Sequence, residues 1–396
     1  MQSRFIINLI KQGRDLLMKR LGFIGYGLRS ETMMKAFRAI EADITVSAIV
    51  DPRQKEIVPL IDNDPMFGDV RWYESADDMI NQADLDGIFI GTRCSLHSEL
   101  ACKVLSADIP LFLEKPVCIN YEQYHSLREA SRGKESSVVI SFPLRLSPVV
   151  TEMRRIASSG ILGKITMVQA INNVPYGSVY YHSWYRNPAE TGGLFMQKAT
   201  HDVDYILSVI GELPVTVYAT SSKIYYQGTH KAGLKCPDCP ELRTCVESSY
   251  YVRDILKEDV TGESCCFAVD TGNDDCYAAI FRTEQGMIIT YSQNFIIKKS
   301  AARRGARFIG TEASAEFDFY TNQIRIDHYR TAETESRIFN VPTQHFGGDE
   351  KLAIEFMNVL DGKKSESDLN AGLNSAACCL AASQSSKTHN EIHIPY

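Results

Sequence analysis

The stretch LGFIGYG at residues 21–27, together with an acid at Asp51, limits this chain more than any other feature. Leu21, Phe23 and Ile24 have the character of a short buried strand. Gly25 and Gly27 then turn the chain into a helical pattern that begins near Arg29, and a second apolar run at 46–50 ends on Asp51. Strand, glycine turn, helix, strand and acid in that order predict a dinucleotide-binding unit. A glycine turn lets backbone approach a pyrophosphate, and a helix start supplies free N–H groups and partial positive charge. The turn residues Gly25, Tyr26, Gly27 and Leu28 are therefore the candidates for phosphate contact. Counting G-x-G-x-x-G from Gly25 places Ser30 where a third glycine or alanine is usual, and serine is small enough for close helix–strand packing. Glycines alone would equally mark an ordinary tight turn; the placed strand, helix and acid carry the assignment. Asp51 can accept hydrogen bonds from both ribose hydroxyls and repels a 2′-phosphate, which favours NAD. Arg53, two residues on, offsets that repulsion and keeps NADP open.

The 396 residues suffice for two domains. A net charge of −7 argues against nucleic acid or an anionic membrane as a partner, and no apolar run is long enough to span a bilayer. Eleven cysteines, scattered and odd in number, suit reduced thiols in a cytoplasmic protein better than a secreted disulfide framework. Residues 1–18 read as an N-terminal extension without a signal-type cleavage site. Either Met18 is the functional start or residues 1–17 form a mobile tail or peripheral helix.

From 21 to about 143, apolar runs at 21–24, 46–50, 87–91, 110–113 and 137–142 alternate with helical patterns. Continuous apolar strands separated by helices predict a parallel sheet covered on both faces. Beyond 146 the period becomes that of strands joined by turns, which predicts a largely antiparallel sheet. Helical segments are expected at 193–210, 348–360 and 368–383. The fold class is thus an α/β Rossmann domain at 19–145 followed by an α+β domain at 146–396, the latter with a large, mostly antiparallel open sheet. A polar, cysteine-containing stretch at 226–264 reads as an insertion between strands.

On a parallel sheet, ligands bind outside the carboxyl ends of the strands. The residues placed there are Asp51, Thr92 with His97 opening the next helix, and Glu114-Lys115-Pro116. A lysine held at a strand end beside a bound cation, or partly desolvated, can exchange a proton with a hydroxyl or carbonyl; the plain alternative is a surface lysine in a turn. Pro116 stiffens that turn and permits a cis bond. In the helix at 193–210, Val203, Ile206, Leu207 and Ile210 share an apolar stripe. Gln197, His201 and Asp204, at i, i+4 and i+7, fall together on the other side, where a cleft or solvent is expected. A solvated face with a structural His–Asp pair fits that spacing equally well. Arg145 and Trp184 are candidates for substrate-wall residues.

GFIGYG, Asp51, Glu114-Lys115-Pro116, Gly192-Gly193 followed by His201 and Asp204, and the run HFGGD at 345–349 occur in order. In this the chain resembles the Gfo/Idh/MocA oxidoreductases, the glucose–fructose oxidoreductase and inositol dehydrogenase group, over roughly residues 19–390. The resemblance implies NAD(H) or NADP(H), and hydride transfer at a hydroxyl-bearing carbon of a sugar or cyclitol. It implies that Lys115 matches the family's active-site lysine and His201 its catalytic histidine. It also implies oligomer contacts through the open sheet, and hence a homodimer or homotetramer. Gln197 departs from the family's aspartate, and a glutamine binds a hydroxyl without taking its proton. The neighbouring Lys198 and Asp202 mark a subgroup. Two further functions fit the same residues. One is a glycoside hydrolase or lyase that oxidises transiently and retains its NAD. The other is a non-catalytic NAD-binding sensor.

Cys236 and Cys239 lie at C-x-x-C spacing, followed by Cys245 and the pair Cys265-Cys266. Such spacing is that of a structural zinc site, with Cys236, Cys239, Cys245 and Cys266 as the candidate ligands. A disulfide and free thiols are the alternatives. Nothing near the cluster in sequence suggests catalysis.

Overall fold

The computed structural model describes residues 18–341 and 345–396. The expectations for residues 1–17 lie outside that range. The chain divides into two compact units: one of residues 1–117, 122–142 and 349–372, the other of 118–121, 143–348 and 373–396.

In the first unit, six strands form a parallel sheet in the order β3-β2-β1-β4-β5-β6. They are β1 (Lys19–Ile24), β2 (Ile44–Val50), β3 (Phe67–Trp72), β4 (Gly87–Ile90), β5 (Leu111–Leu113) and β6 (Val138–Ile140). Every residue of β4, β5 and β6 is buried, as a sheet covered on both faces requires. Phe23, Phe89 and Phe112 stack across β1, β4 and β5 with centroids 4.9 and 4.5 Å apart. Phe356 meets Phe112 edge-on at 5.6 Å, which docks the helix Gly348–Leu360 on this sheet, far from its neighbours in sequence. β3 was not expected from the sequence. FGDVRW is an edge strand with no fully buried residue, so it lacks the apolar run that betrays its neighbours.

In the second unit, nine strands form one sheet in the order β14-β13-β12-β11-β7-β10-β9-β8-β15. These are β7 (Ile165–Asn173), β8 (Pro214–Ser222), β9 (Cys276–Thr283), β10 (Ile288–Asn294), β11 (Arg303–Gly310), β12 (Ala313–Asp318), β13 (Gln323–His328), β14 (Thr334–Ile338) and β15 (Ile392–His393). β7 and β10 run parallel, and the other pairs in this sheet are antiparallel. β8 and β9 pair directly, yet residues 223–275 separate them in the chain. At the neck of that excursion, the Asp275 carboxylate accepts the backbone N–H groups of Ile224, Tyr225 and Tyr226 at 2.7–3.1 Å. Within the excursion, regular structure is limited to the short turns Cys236–Asp238 and Tyr251–Ile255 and two isolated bridges.

The expected helix at 193–210 begins as a wide turn, Phe195–Ala199, with i→i+5 bonding, and becomes an α-helix at Thr200–Ile210. Its polar side does not face solvent. Gln197, His201 and Asp204 are 4, 7 and 2 % exposed, whereas Leu207, Ser208 and Ile210 farther along the helix are partly exposed. Tyr205 packs edge-on against Phe317 and Phe319, while Pro148–Ser158 lies along another face.

The expected zinc set does not stand. Among the described residues, no group of three or more His, Cys, Asp or Glu side chains is arranged to hold a metal ion. All eleven cysteines are free thiols. Cys265 forms a small apolar cluster with Leu234 and Ala268, and Cys239 and Phe267 pack against it. Cys236, Cys239, Cys245, Cys265 and Cys266 nevertheless line one small pocket, together with His182 and His230.

Candidate functional site

In the first unit, the chain leaves β1 through Gly25, whose φ is +81°. A side chain there would meet Gly91 and Thr92 within 2.9 Å, so only glycine keeps the β1 and β4 turns this close. Gly27 caps the helix Leu28–Ala39 without a side-chain bond, and a Cβ built on it meets nothing within 4 Å. The helix start thus opens on space, with its first N–H groups and the exposed Leu28 bordering it. Ser30, in place of the third glycine, is fully buried, and its hydroxyl donates to the Gly25 carbonyl at 3.0 Å. The substitution therefore strengthens the turn.

Asp51 ends β2 with its carboxylate held from two sides. Oδ2 accepts the Tyr26 N–H at 2.8 Å, and Oδ1 accepts the Arg53 N–H at 2.8 Å. The half-exposed Arg53 guanidinium pairs with the same carboxylate at 2.8 Å. Burial works to raise the Asp51 pKa, but these bonds outweigh it and hold the group below its ordinary value. Glycine cradle, open helix start and ionised acid fit an NAD-type cofactor: the backbone of 25–28 would hold the pyrophosphate and Asp51 the ribose.

Tyr26 and His97, both expected to contact the cofactor, are buried and hydrogen-bonded within the unit. The Tyr26 ring is buried edge-on against Phe23 and Phe67, and its N–H is spent on Asp51. His97 is buried between two backbone carbonyls, that of Pro116 at 2.8 Å from Nδ1 and that of Thr92 at 3.3 Å from Nε2. Burial keeps its pKa below the ordinary value, and a neutral imidazole donates to only one of these carbonyls, the 2.8 Å contact to Pro116 being the shorter. Thr92 itself is half-buried at the end of that turn.

Glu114 and Lys115 follow β5, with Lys115-Pro116 in the cis form. Glu114 is 6 % exposed and pairs with Arg29 at 2.9 Å; Arg29 also reaches Asp349 at 2.6 Å and the Ser141 hydroxyl at 3.1 Å. Arg29 thereby ties the helix after the glycine turn to the strand end that carries Lys115. Sequence inspection passes over this arginine because its partners lie 85 and 320 residues away.

In the second unit, Gln197 and Lys198 lie on the wide turn and His201 on the first turn of the following helix. Arg145, on the short turn Pro143–Leu146, pairs with Asp204 at 3.3 Å, so these two hold each other. Trp184 stacks on Tyr185 with centroids 4.0 Å apart and is partly exposed. Beneath them Asp202, fully buried, accepts from Asn172 at 2.6 Å, Tyr291 at 2.8 Å and Arg304 at 2.8 Å. Lys198 is 4 % exposed and donates to the Tyr176 hydroxyl at 2.5 Å, its ammonium 4.7 Å from the centre of that ring. Burial first, and the Arg304 charge second, push its pKa well below the ordinary value. The run QKATHD draws the eye to Lys198 and Asp202; nothing in the sequence draws it to Tyr176 or Arg304.

Two family models cover most of the chain. Residues 19–142 match the oxidoreductase family with an NAD-binding Rossmann fold, and residues 150–316 match the GFO/IDH/MocA C-terminal domain. The chain belongs to the Gfo/Idh/MocA oxidoreductase family. Among curated relatives, YteT of Bacillus subtilis (strain 168), an oxidoreductase by name, is 24% identical over 93% of this chain and 95% of its own. An inositol 2-dehydrogenase of Rhizobium meliloti (strain 1021) is 24% identical over 38% of this chain and 44% of its own. Among solved structures, levoglucosan dehydrogenase in complex with NADH and levoglucosan superposes with a TM-score of 0.74 at 16% identity, covering 96% of this chain and 100% of that one. The family models establish an NAD-binding oxidoreductase, and the structural likeness shows the same fold. Among the described residues, no helix is long and apolar enough to cross a membrane.

Proposed function

We propose that this protein is an NAD(P)-dependent dehydrogenase acting on a CH–OH carbon of a sugar, cyclitol or related polyol. The observation that carries the proposal is Lys115 at the carboxyl end of β5, with its neighbour Glu114 fixed by Arg29 to the helix that opens at the glycine turn. Relatives named for inositol and levoglucosan oxidation support the substrate class. Bound NAD supplies the hydride acceptor. Lys115 and His201 handle the proton of the reacting hydroxyl, while Gln197 orients a hydroxyl without titrating. Arg145 fixes Asp204, and Trp184 forms part of the substrate wall. Asp51 favours NAD, and Arg53 leaves NADP a foothold. We place the protein in the cytoplasm as a homodimer or homotetramer that uses neither nucleic acid nor a membrane.

The test is a turnover screen. NAD+ and NADP+ are bound separately, a panel of sugars, inositols and sugar acids is added, and absorbance of the reduced cofactor is followed. Reduction with one stereochemical set is the expected result. Tight cofactor binding with no reduction anywhere would turn the assignment toward a hydrolase or lyase that retains NAD, or a sensor. Lys115→Ala should lower turnover about 10²–10⁴-fold, the usual worth of a positioned acid–base group. Its cofactor Kd should change by less than about threefold. Unchanged turnover in this variant removes Lys115 from the chemistry.

A further inference from the structure

The second unit holds a cavity of about 760 Å³, lined by the 175–182 turn, by residues 225–262 of the excursion, and by 296–299. Its size falls in the ~300–1,000 Å³ span of small-molecule sites. At ~30 Å³ per water-sized group, the about twelve heavy atoms of a hexopyranose fill roughly half of it. Tyr176, Tyr225 and Tyr251 are among the residues lining it, as are Ser178, Ser249 and Thr261. Aromatic faces with scattered hydroxyls match a sugar ring, which has apolar C–H faces and a polar hydroxyl edge.

The charges select further. Glu247 is buried and engaged by Lys298 at 2.8 Å and by the hydroxyls of Tyr225 and Tyr226 at 3.2 and 3.4 Å. It braces the wall and offers no free carboxylate. With Lys298 paired to Glu247, the lining carries one further base, Lys299, and two acids, Glu258 and Asp259. The cavity thus has no surplus positive charge for a sugar acid or sugar phosphate. Its position is equally specific. Tyr176 lines it and also accepts the hydrogen bond of Lys198, three residues before His201. Gly177 locks that turn, since a Cβ there would lie 1.8 Å from the Phe295 carbonyl oxygen.

We propose that this cavity is a subsite for a second, neutral sugar unit, so that the substrate is a glycoside or short oligosaccharide. The inference rests on the dehydrogenase assignment above and narrows it. Tyr176 lines the cavity and accepts a hydrogen bond from Lys198, on the segment that also carries Gln197 and His201.

The experiment compares, with the NAD-loaded full chain, the best monosaccharide of the screen with its methyl glycoside and its α- and β-linked disaccharides. The expected result is a kcat/KM at least tenfold higher for one disaccharide. Thr261→Trp, which places an indole in the cavity, and Tyr251→Ala should each erase that advantage while leaving monosaccharide kcat/KM within twofold. Equal kcat/KM for monosaccharide and disaccharides, with both variants silent, overturns the subsite and leaves the dehydrogenase standing. Saturation-transfer NMR with the same disaccharides reads the subsite without turnover. Binding that is abolished by Thr261→Trp supports the subsite even where no cofactor is reduced, and that pairing of outcomes would sink the dehydrogenase assignment alone. Absence of any disaccharide signal in the wild-type chain sinks the subsite.

Discussion

At the residue scale, the two titratable groups with the most unusual surroundings make opposite predictions for stability. Asp51 has a depressed pKa, so its contribution is full above the ordinary carboxylate value near ~4 and is lost as pH falls through the lower folded value. Asp51→Asn should therefore flatten the acid limb of the Tm–pH curve below about pH 4. Asp51→Ala also releases Arg53, and the ratio of NADP to NAD affinity should move toward NADP by about tenfold, or 1.4 kcal/mol, in fluorescence titrations. Lys198 is the reverse case. A lysine whose folded pKa lies below its unfolded value weakens the fold at neutral pH, and the penalty fades as pH rises toward ~10. Lys198→Met should raise Tm at pH 7 by several degrees, at about 2–4 °C per kcal/mol, and the gain should shrink above pH 9. A Tm that falls, or a gain independent of pH, would show that the amine is charged and paired.

At the scale of elements, local signals were legible and displaced ones were not. The glycine turn, Asp51 and the Glu114-Lys115-Pro116 step are each set by a few adjacent residues, and the structure places them at strand ends as their spacing requires. β3 escaped because an exposed edge strand carries no apolar run. The i, i+4, i+7 spacing of Gln197, His201 and Asp204 assumed 100° per residue, whereas the wide turn at Phe195–Ala199 breaks that count. Their burial was hidden for a different reason: Asp202 is satisfied by partners 30, 89 and 102 residues away. Similarly, the cysteine spacing reads as a metal motif, and only the structure shows that Cys239 and Cys265 also pack in an apolar cluster with Leu234, Ala268 and Phe267. Gly348 offers an element-scale test. A Cβ there would lie 1.9 Å from the Pro143 carbonyl oxygen, at the first residue of the helix Gly348–Leu360. Gly348→Ala should cost about 1–3 kcal/mol, read as a lowered urea midpoint with unchanged slope.

For the whole molecule, the nine-stranded sheet leaves apolar side chains outward. Tyr218, Ile280 and Ile288, neighbours across β8, β9 and β10, are 46, 52 and 41 % exposed. A bare face of this kind is an association surface, and a second copy of the chain is the occupant we propose. Light scattering should give a dimer or tetramer, and Ile280→Asp should shift it toward monomer while the cofactor Kd holds. A monomeric wild-type chain would contradict the assignment. The pairing of β8 with β9 reaches further. Residues 223–275 leave and re-enter the sheet at adjacent points, where Asp275 clasps the outgoing backbone. Because the two ends are already joined by the sheet, the length and sequence between them are free to vary with little effect on the strands beneath. The excursion's inner residues are pinned, however, with Asn273 donating to the Tyr180 and Tyr185 carbonyls and Asp270 paired with Arg186, so the exposed stretches are the part free to change. Under the proposed function, changes there would be a route by which substrate choice is altered with Lys115 and His201 left untouched.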